Sequence, residues 1–136
     1  MYVIKVLVKD SEIEGRGVFS LDEIPSGTIT WKFEPQVDVV MAPEDFEKLD
    51  IKAKEQFLRI AYLSPTTGRW VYQKEGESAN FTNHSSQPNQ SMVVDLTISE
   101  EPFFVANTHI VVGDELTVNY AEFDDRPENL LENWAK

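Results

Sequence analysis

Three short polar segments contain the residue types that could bind a ligand or carry out chemistry. The first is N-F-T-N-H-S-S-Q-P-N, residues 80–89, which combines three Asn, two Ser, one Thr and one His. Short amide and hydroxyl side chains offer many hydrogen-bonding groups, so Asn83 and His84 are candidates for holding a polar ligand. The alternative for His84 is a buried histidine whose hydrogen-bond partners are backbone groups.

The other two segments combine glycine with polar residues. E-G-R-G-V-F, residues 14–19, has two glycines one residue apart, which let the backbone approach a ligand closely. It lacks the third glycine and the following helix of a dinucleotide-binding motif, and the alternative is a plain turn. G-D-E-L-T-V-N-Y, residues 113–120, predicts a tight turn into a strand that ends at Tyr120. The alternative for this tyrosine is packing in the core or on the surface.

Several kinds of chemistry are excluded or disfavoured by what the sequence lacks. There is no cysteine, which removes disulfides, thiolate metal ligands and cysteine nucleophiles together. His84 and His109 are the only histidines and lie far apart in sequence, so we predict no metal site and interpret His109 as structural. A hydrolase built on a G-x-S-x-G nucleophile elbow is not indicated, because that motif is absent.

Length and charge restrict the partners. The 136 residues suffice for one domain with a core, and 24 acidic against 12 basic side chains give a formal charge of −12. Such a surface repels nucleic acid and attracts basic proteins, although the charge can also serve solubility alone. No apolar run is long enough to cross a bilayer and no signal peptide is visible, so we expect no membrane partner and an intracellular location. That location is the cytoplasm for a bacterial protein, or a host nucleus for a viral or effector protein.

Hydrophobic periodicity predicts a mainly β chain. Residues 2–9 alternate, with Tyr2, Ile4, Val6 and Val8 on one face. A helical insert is predicted at about 43–64, with Asp50 as the cap of its second helix, and an acidic C-terminal tail and helix at about 123–136. Residues 18–21 form a short apolar segment after the glycine turn, and further strands are predicted at 28–33, 36–41, 69–73, 91–98, 102–107 and 116–120.

Taken together, the order and spacing of the three polar segments resemble those of the SET-domain protein lysine methyltransferases. The G-R-G turn, N-H-S-x-x-P-N and G-D-E-L-T-x-N-Y match motifs of that family, and I-P-S-G-T at 24–28 with Trp31 is similar to its N-terminal half. The resemblance implies one SET domain over residues 1–136. Its fold would be β-clip-like, with short strands in small sheets and a knot-like threading of the C-terminal segment. The zinc-binding cysteines that follow the domain in many members are missing, so the chain resembles a minimal, stand-alone SET protein.

This resemblance implies transfer of methyl groups from S-adenosylmethionine to a lysine amine of a basic protein, such as a histone, a histone-like protein or a ribosomal protein. In the family, Tyr120 would be the catalytic tyrosine. The implied cofactor-binding residues are Gly15, Arg16 and Gly17 at the methionine end, Trp31 at the pocket wall, Asn83 on the amino group through its side-chain oxygen, and the backbone of His84 at the adenine.

The lysine channel is less fully specified by the resemblance. Tyr72 is a candidate second channel hydroxyl, with cross-strand packing as its alternative, and Val118 and Phe123 are assigned to the channel. The chain departs from the family pattern at three positions, where Asn80 replaces the usual Arg, Ser86 a common Cys and Asn119 a common Asp. A non-catalytic SET-like module that binds a protein partner is the alternative function, and methylation of a non-protein amine is a third. The number of methyl groups added and the oligomeric state stay open.

Overall fold

The computed structural model describes residues 1–74 and 76–123. Strands outnumber helices in this part of the chain, and the predicted mainly β class is confirmed. The strands are β1 Val6–Asp10, β2 Arg16–Ser20, β3 Ile29–Trp31, β4 Asp38–Met41, β5 Ala61–Leu63, β6 Trp70–Gln73, β7 Asn83–His84, β8 Gln90–Val93, β9 Phe103–Ala106 and β10 Glu115–Val118. The helices are α1 Pro43–Glu47, α2 Ile51–Leu58, α3 Tyr120–Phe123 and a 3-10 turn at Ser78–Phe81.

The strands form three small sheets, with the orders β1-β2-β10-β7, β3-β9-β8 and β4-β6-β5. In the first sheet β10 lies between two partners that are distant in sequence. It runs antiparallel to β2, with Leu116 opposite Val18, and parallel to β7, with Val118 opposite His84. This central position of β10 joins all three polar segments of the sequence.

The main core lies beneath this sheet and contains Tyr2, Val18, Trp31, Phe104 and Leu116. Ile4, Val6 and Val8 pack against that core, which confirms the predicted shared face of residues 2–9, but the strand itself begins only at Val6. A second apolar cluster joins the two helices of the insert to the sheet formed by β4, β5 and β6, through the rings of Phe46, Phe57 and Trp70.

Two other predicted element boundaries are wrong. Asp50 caps α2 as predicted, accepting a hydrogen bond from the Ala53 amide at 2.8 Å, but the helix ends at Leu58. The last part of the predicted helical insert is β5, because these residues pair with β6. The strand predicted at 91–98 ends at Val93, and a turn follows in which the Asp95 carboxylate accepts from the Thr97 amide at 3.0 Å.

The C-terminal part of the site is also corrected. β10 ends at Val118, and Tyr120 begins α3 instead of ending a strand. The reason is Asn119, whose side-chain oxygen accepts from the Ala121 amide at 3.0 Å and so starts the helix. Phe123 belongs to α3, while the predicted tail and helix beyond it lie outside the described residues. None of the helices in the described ranges has the length and apolar character that a membrane crossing requires.

Candidate active site

The three polar segments meet at one place. The Tyr120 amide donates to Nδ1 of His84 at 3.2 Å, and the two rings lie 5.2 Å apart. One residue earlier, the Asn83 side chain reaches the G-R-G turn, with Nδ2 3.1 Å from the carbonyl oxygens of both Glu14 and Arg16. The loop is tied to β10 by Asn89, whose amide group donates to the Glu115 carbonyl at 2.8 Å and accepts from the Thr117 amide at 2.9 Å.

Asn83 is surrounded by oxygen atoms. Besides the two carbonyls, its Nδ2 lies 3.1 Å from Ser11 Oγ and 2.9 Å from Oε2 of Glu115. We refer to these four atoms, Ser11 Oγ, Glu14 O, Arg16 O and Glu115 Oε2, as the oxygen cluster. The Ser11 hydroxyl gives its own hydrogen to Oε1 of Glu115 at 2.7 Å, so this carboxylate is held from two sides. The cluster therefore joins the β1–β2 turn, β7 and β10.

The two glycines of the turn have different reasons to be glycine. Gly15 has φ 48°, a left-handed backbone conformation that other residues rarely adopt. Gly17 is buried in β2, and a Cβ at this position would lie only 2.3 Å from Oε2 of Glu115 and 3.0 Å from Cβ of Ser11. Gly17 thus leaves the space that the Glu115 carboxylate occupies.

A cavity of about 690 Å³ is lined in part by Tyr120. Apolar side chains form most of its wall, and none of the described residues that line it is acidic. The apolar lining residues are Trp31, Leu58, Ile60, Ala61, Tyr62, Val71, Ala79, Phe104, Val118 and Ala121, and the polar ones are Tyr2, Arg59, Gln73, Asn80, Thr82, Gln90 and Tyr120. An apolar wall without carboxylates favours the uncharged form of an amine that enters it.

Tyr120 lines the cavity and is linked to the segment of Asn83 through the hydrogen bond from its amide to His84. Its hydroxyl donates to the Thr82 carbonyl at 2.6 Å, and the residue is 46% exposed. Burial, and after it the negative charge of Glu14, raise the pKa of the Tyr120 phenol above its usual value. The hydroxyl therefore stays protonated in neutral solution, and because its hydrogen is given to Thr82, its oxygen can accept a hydrogen bond from a group in the cavity.

A second tyrosine hydroxyl, which the sequence did not single out, belongs to Tyr2. It bonds to Thr82 Oγ1 at 2.8 Å and accepts from Nε2 of Gln90 at 3.2 Å, and burial raises the pKa of Tyr2 to about 12. In the sequence Tyr2 is one inward residue of an alternating strand, so only its predicted burial pointed to it.

The remaining predicted residues divide between cavity and core. Val118 lies in the cavity wall, and so does Trp31, whose ring makes edge contacts with Tyr62 and Phe104. Tyr72 does not line the cavity. Its ring packs on Phe57 at 5.1 Å in the second cluster, which is the packing role that the sequence left as an alternative. The side chain of Phe123 lies outside the described part of the structure.

Two further observations complete the site. Gln73 is 6% exposed, and its Oε1 has no hydrogen-bond partner. The histidine and carboxylate side chains of the described residues form no group of three or more that could hold a metal ion.

The chain belongs to the SET-domain family, because the family model of that domain matches residues 15–121. The match spans the G-R-G turn, the Asn83–His84 segment and Tyr120, which are the segments that meet in the structure. No curated protein matches the chain in sequence.

Solved structures show the same fold. A Plasmodium falciparum protein described as a candidate histone methyltransferase has 21% identity and a TM-score of 0.59, over 86% of this chain and 93% of that one. A humanized mutant of the Chaetomium thermophilum Polycomb Repressive Complex 2, bound to the inhibitor GSK126, has 19% identity and a TM-score of 0.64. The match covers 90% of this chain but only 16% of that one.

Proposed function

We propose that the protein transfers methyl groups from S-adenosylmethionine to a lysine side chain of a basic protein. The observation that carries this proposal is that Tyr120 lines an apolar cavity with no acidic residue in its described lining and contacts His84, the neighbour of Asn83 and its oxygen acceptors. Membership of the SET-domain family and the similarity to a solved structure described as a candidate histone methyltransferase support methyl transfer as the reaction class.

The residues around Asn83 fit the cofactor. S-adenosylmethionine carries an α-ammonium group, which needs acceptors, and the oxygen cluster offers more acceptors than the Asn83 amide can use. Asn83 and the backbone of Gly15, Arg16 and Gly17 would hold the methionine end, and the backbone of His84 would meet the adenine. When bound, the cofactor supplies a methyl group on a sulfonium, an electrophile that needs no covalent help from the protein.

The protein must then present the lysine as a neutral, oriented amine, because an ammonium has no lone pair. The cavity meets the first requirement through its apolar wall, since removal from water disfavours the charged form of an amine. Tyr120 meets the second, because its protonated hydroxyl lies at the cavity edge and can fix the direction of a polar group there. Val118 lies in the same wall and limits the space beside the amine.

The substrate class follows from charge. A protein with a formal charge of −12 attracts partners rich in lysine and arginine, and long-range attraction raises the rate of their encounter. Histones, histone-like proteins and ribosomal proteins share this chemistry.

The first experiment is a calorimetric titration with S-adenosylmethionine, run on the wild type and on Asn83→Ala. We expect saturable binding that weakens in the variant. Mass spectrometry of core histones and ribosomal proteins, incubated with enzyme and cofactor, should then find methyl-lysine. Binding without any methyl-lysine would contradict the protein substrate and favour a non-protein amine, while no binding at all would favour a non-catalytic SET-like module.

A further inference from the structure

We infer that Glu115 is a cofactor-binding residue, whose carboxylate neutralises the α-ammonium of the bound cofactor. The inference rests on the proposed function, because it assumes that S-adenosylmethionine occupies the site around Asn83. The sequence motifs did not single out Glu115. In the sequence it is one of several acidic residues near the C-terminus.

The first argument is a count of donors and acceptors. The Asn83 amide has two hydrogens, yet four oxygen atoms lie within 3.1 Å of its nitrogen. The cluster therefore offers more acceptors than the Asn83 amide can satisfy, and the Ser11 hydroxyl and the Ile13 amide, which also donate here, are neutral groups too. An ammonium, with three hydrogens and a positive charge, matches that surplus better than the amide does.

The second argument is electrostatic. Glu115 supplies the only formal charge among the four atoms of the cluster, and it forms no salt bridge with any described residue. Its two oxygens are engaged only by the neutral groups of Ser11 and Asn83. This half-buried carboxylate has no cationic partner among the described residues. A cationic ligand would be a stronger partner than Ser11 or Asn83, because charge-assisted hydrogen bonds are about twice as strong as neutral ones.

The third argument is that the carboxylate is held in position. Glu115 begins β10 opposite Phe19, Ser11 donates to its Oε1, and the missing side chain of Gly17 leaves it room. A group fixed in this way loses little conformational freedom when a ligand arrives. When the ligand binds, the side-chain amide of Asn83 can flip, so that its oxygen replaces its nitrogen and accepts from the ammonium.

The test compares two ligands on Glu115→Gln, a variant that keeps the shape and removes the charge. S-adenosylhomocysteine carries the α-ammonium, and 5′-methylthioadenosine has the same adenosine and sulfur but no amino-acid end. We expect Glu115→Gln to weaken S-adenosylhomocysteine about 10- to 100-fold in calorimetry, in line with a lost hydrogen bond to a charged group. Binding of 5′-methylthioadenosine, followed by NMR shift titration, should change less than about twofold.

Glu12→Gln is the matched control. It removes a carboxylate from the same turn, but Glu12 is exposed and contributes no atom to the cluster. We expect this variant to bind S-adenosylhomocysteine almost as well as the wild type. Thermal unfolding shows whether each variant is folded, and Gly17→Ala provides a second route, because its Cβ displaces the same carboxylate.

The outcomes separate the two proposals. An equal loss for both ligands would overturn the inference, because Glu115 would then only hold the turn in place. So would unchanged affinity for S-adenosylhomocysteine in both Glu115→Gln and Gly17→Ala, while the proposed cofactor site would survive. If the wild type bound neither ligand, the cofactor assignment itself would fail, and the inference with it.

Discussion

The oxygen cluster and the cavity differ in how they treat positive charge. The oxygen cluster gathers backbone carbonyls, a hydroxyl and the Glu115 carboxylate around a single amide. The cavity has mostly apolar walls, and its described lining contains no carboxylate. The oxygen cluster stabilises a cation, and the apolar cavity destabilises it.

This contrast suits the proposed reaction, in which the cofactor and the substrate each carry an ammonium group in solution. The protein would have to methylate the lysine amine in its neutral form and hold the α-ammonium of the cofactor in its charged form. In the proposed reaction the apolar cavity would favour the first state, and the charge of the oxygen cluster the second.

The largest expected effect comes from removing the hydroxyl of Tyr120, a residue of the cavity lining. Tyr120→Phe takes away the hydroxyl that orients the amine, so methyl transfer should fall by about 100-fold or more. The affinity for S-adenosylhomocysteine should stay within about twofold of the wild type, because the oxygen cluster is intact. Single-turnover kinetics with radiolabelled cofactor and core histones measures the first quantity, and calorimetry the second. Wild-type rates in this variant would remove Tyr120 from the mechanism.

The next largest effect is expected from a change at the oxygen cluster. Asn83→Ala removes the central amide of the oxygen cluster, and we expect cofactor affinity in calorimetry to fall about 10- to 100-fold. Asn107→Ala is the control, since Asn107 also donates through its side chain, to the Pro88 carbonyl at 2.8 Å, but lies outside the cluster. Equal affinities for the two variants would mean that the motif around residue 83 is misaligned with the cofactor.

A third change adds negative charge to the cavity and so removes its difference from the oxygen cluster. Gln73→Glu places a carboxylate in the cavity wall, where it would stabilise the ammonium form of the substrate and raise its pKa. Transfer at neutral pH should fall about 10-fold, and the rate should recover as the pH rises. The measurement is a pH–rate profile against Gln36→Glu, which adds the same charge at an exposed position outside the cavity. Identical profiles would show that cavity charge does not govern the reaction.

A smaller effect concerns the interplay of Gly17 and Glu115. Gly17→Ala should cost several-fold in cofactor affinity by displacing the carboxylate, about as much as one distorted hydrogen bond. In a Glu115→Ala background the same substitution should cost almost nothing, because the clash is gone. Additive losses in this double-mutant cycle would mean that Gly17 acts through the backbone of the turn instead.

The last effect is absent at neutral pH and appears only in alkali. The folded pKa of Tyr2 is about 12 against 10.0 for the free group, so the folded state keeps a proton that the unfolded state loses. Stability is therefore highest below pH 10 and should decline by about 2–3 kcal/mol as the pH rises to 12. Denaturant unfolding measures this slope, which should largely vanish in Tyr2→Phe. A slope of the same size in that variant would assign it to other groups.

Much of the fold could be predicted from local patterns. The alternation at residues 2–9, the Asp50 cap and most strands needed only nearby residues, and the structure contains them. The predictions failed at two places, where a specific contact determines the secondary structure. Residues 61–63 continue a helical pattern, but pairing with β6 makes them a strand, and the side chain of Asn119 turns the end of a strand into the start of α3.

The candidate site was predictable as a set of motifs and not as an arrangement. Asn83, His84, Tyr120 and the G-R-G turn were visible because each has an unusual local composition. Glu115 and Tyr2 were not, because an acid after a turn and a tyrosine in a strand are common. Their roles depend on contacts such as that between Ser11 and Glu115, which are 104 positions apart and have no trace in local sequence.

The position of β10 between β2 and β7 also has a kinetic consequence. Every contact between β10 and β2 closes a loop that contains most of the chain. Closing so long a loop costs conformational entropy before the stabilising contacts form. Folding rates fall as such distant pairings accumulate. The hairpin of β1 and β2 can form early, but neither the oxygen cluster nor the Tyr120 side of the cavity exists until β10 docks. Binding competence should therefore appear late and all at once during refolding, and a partly folded chain would have no weakened version of the site.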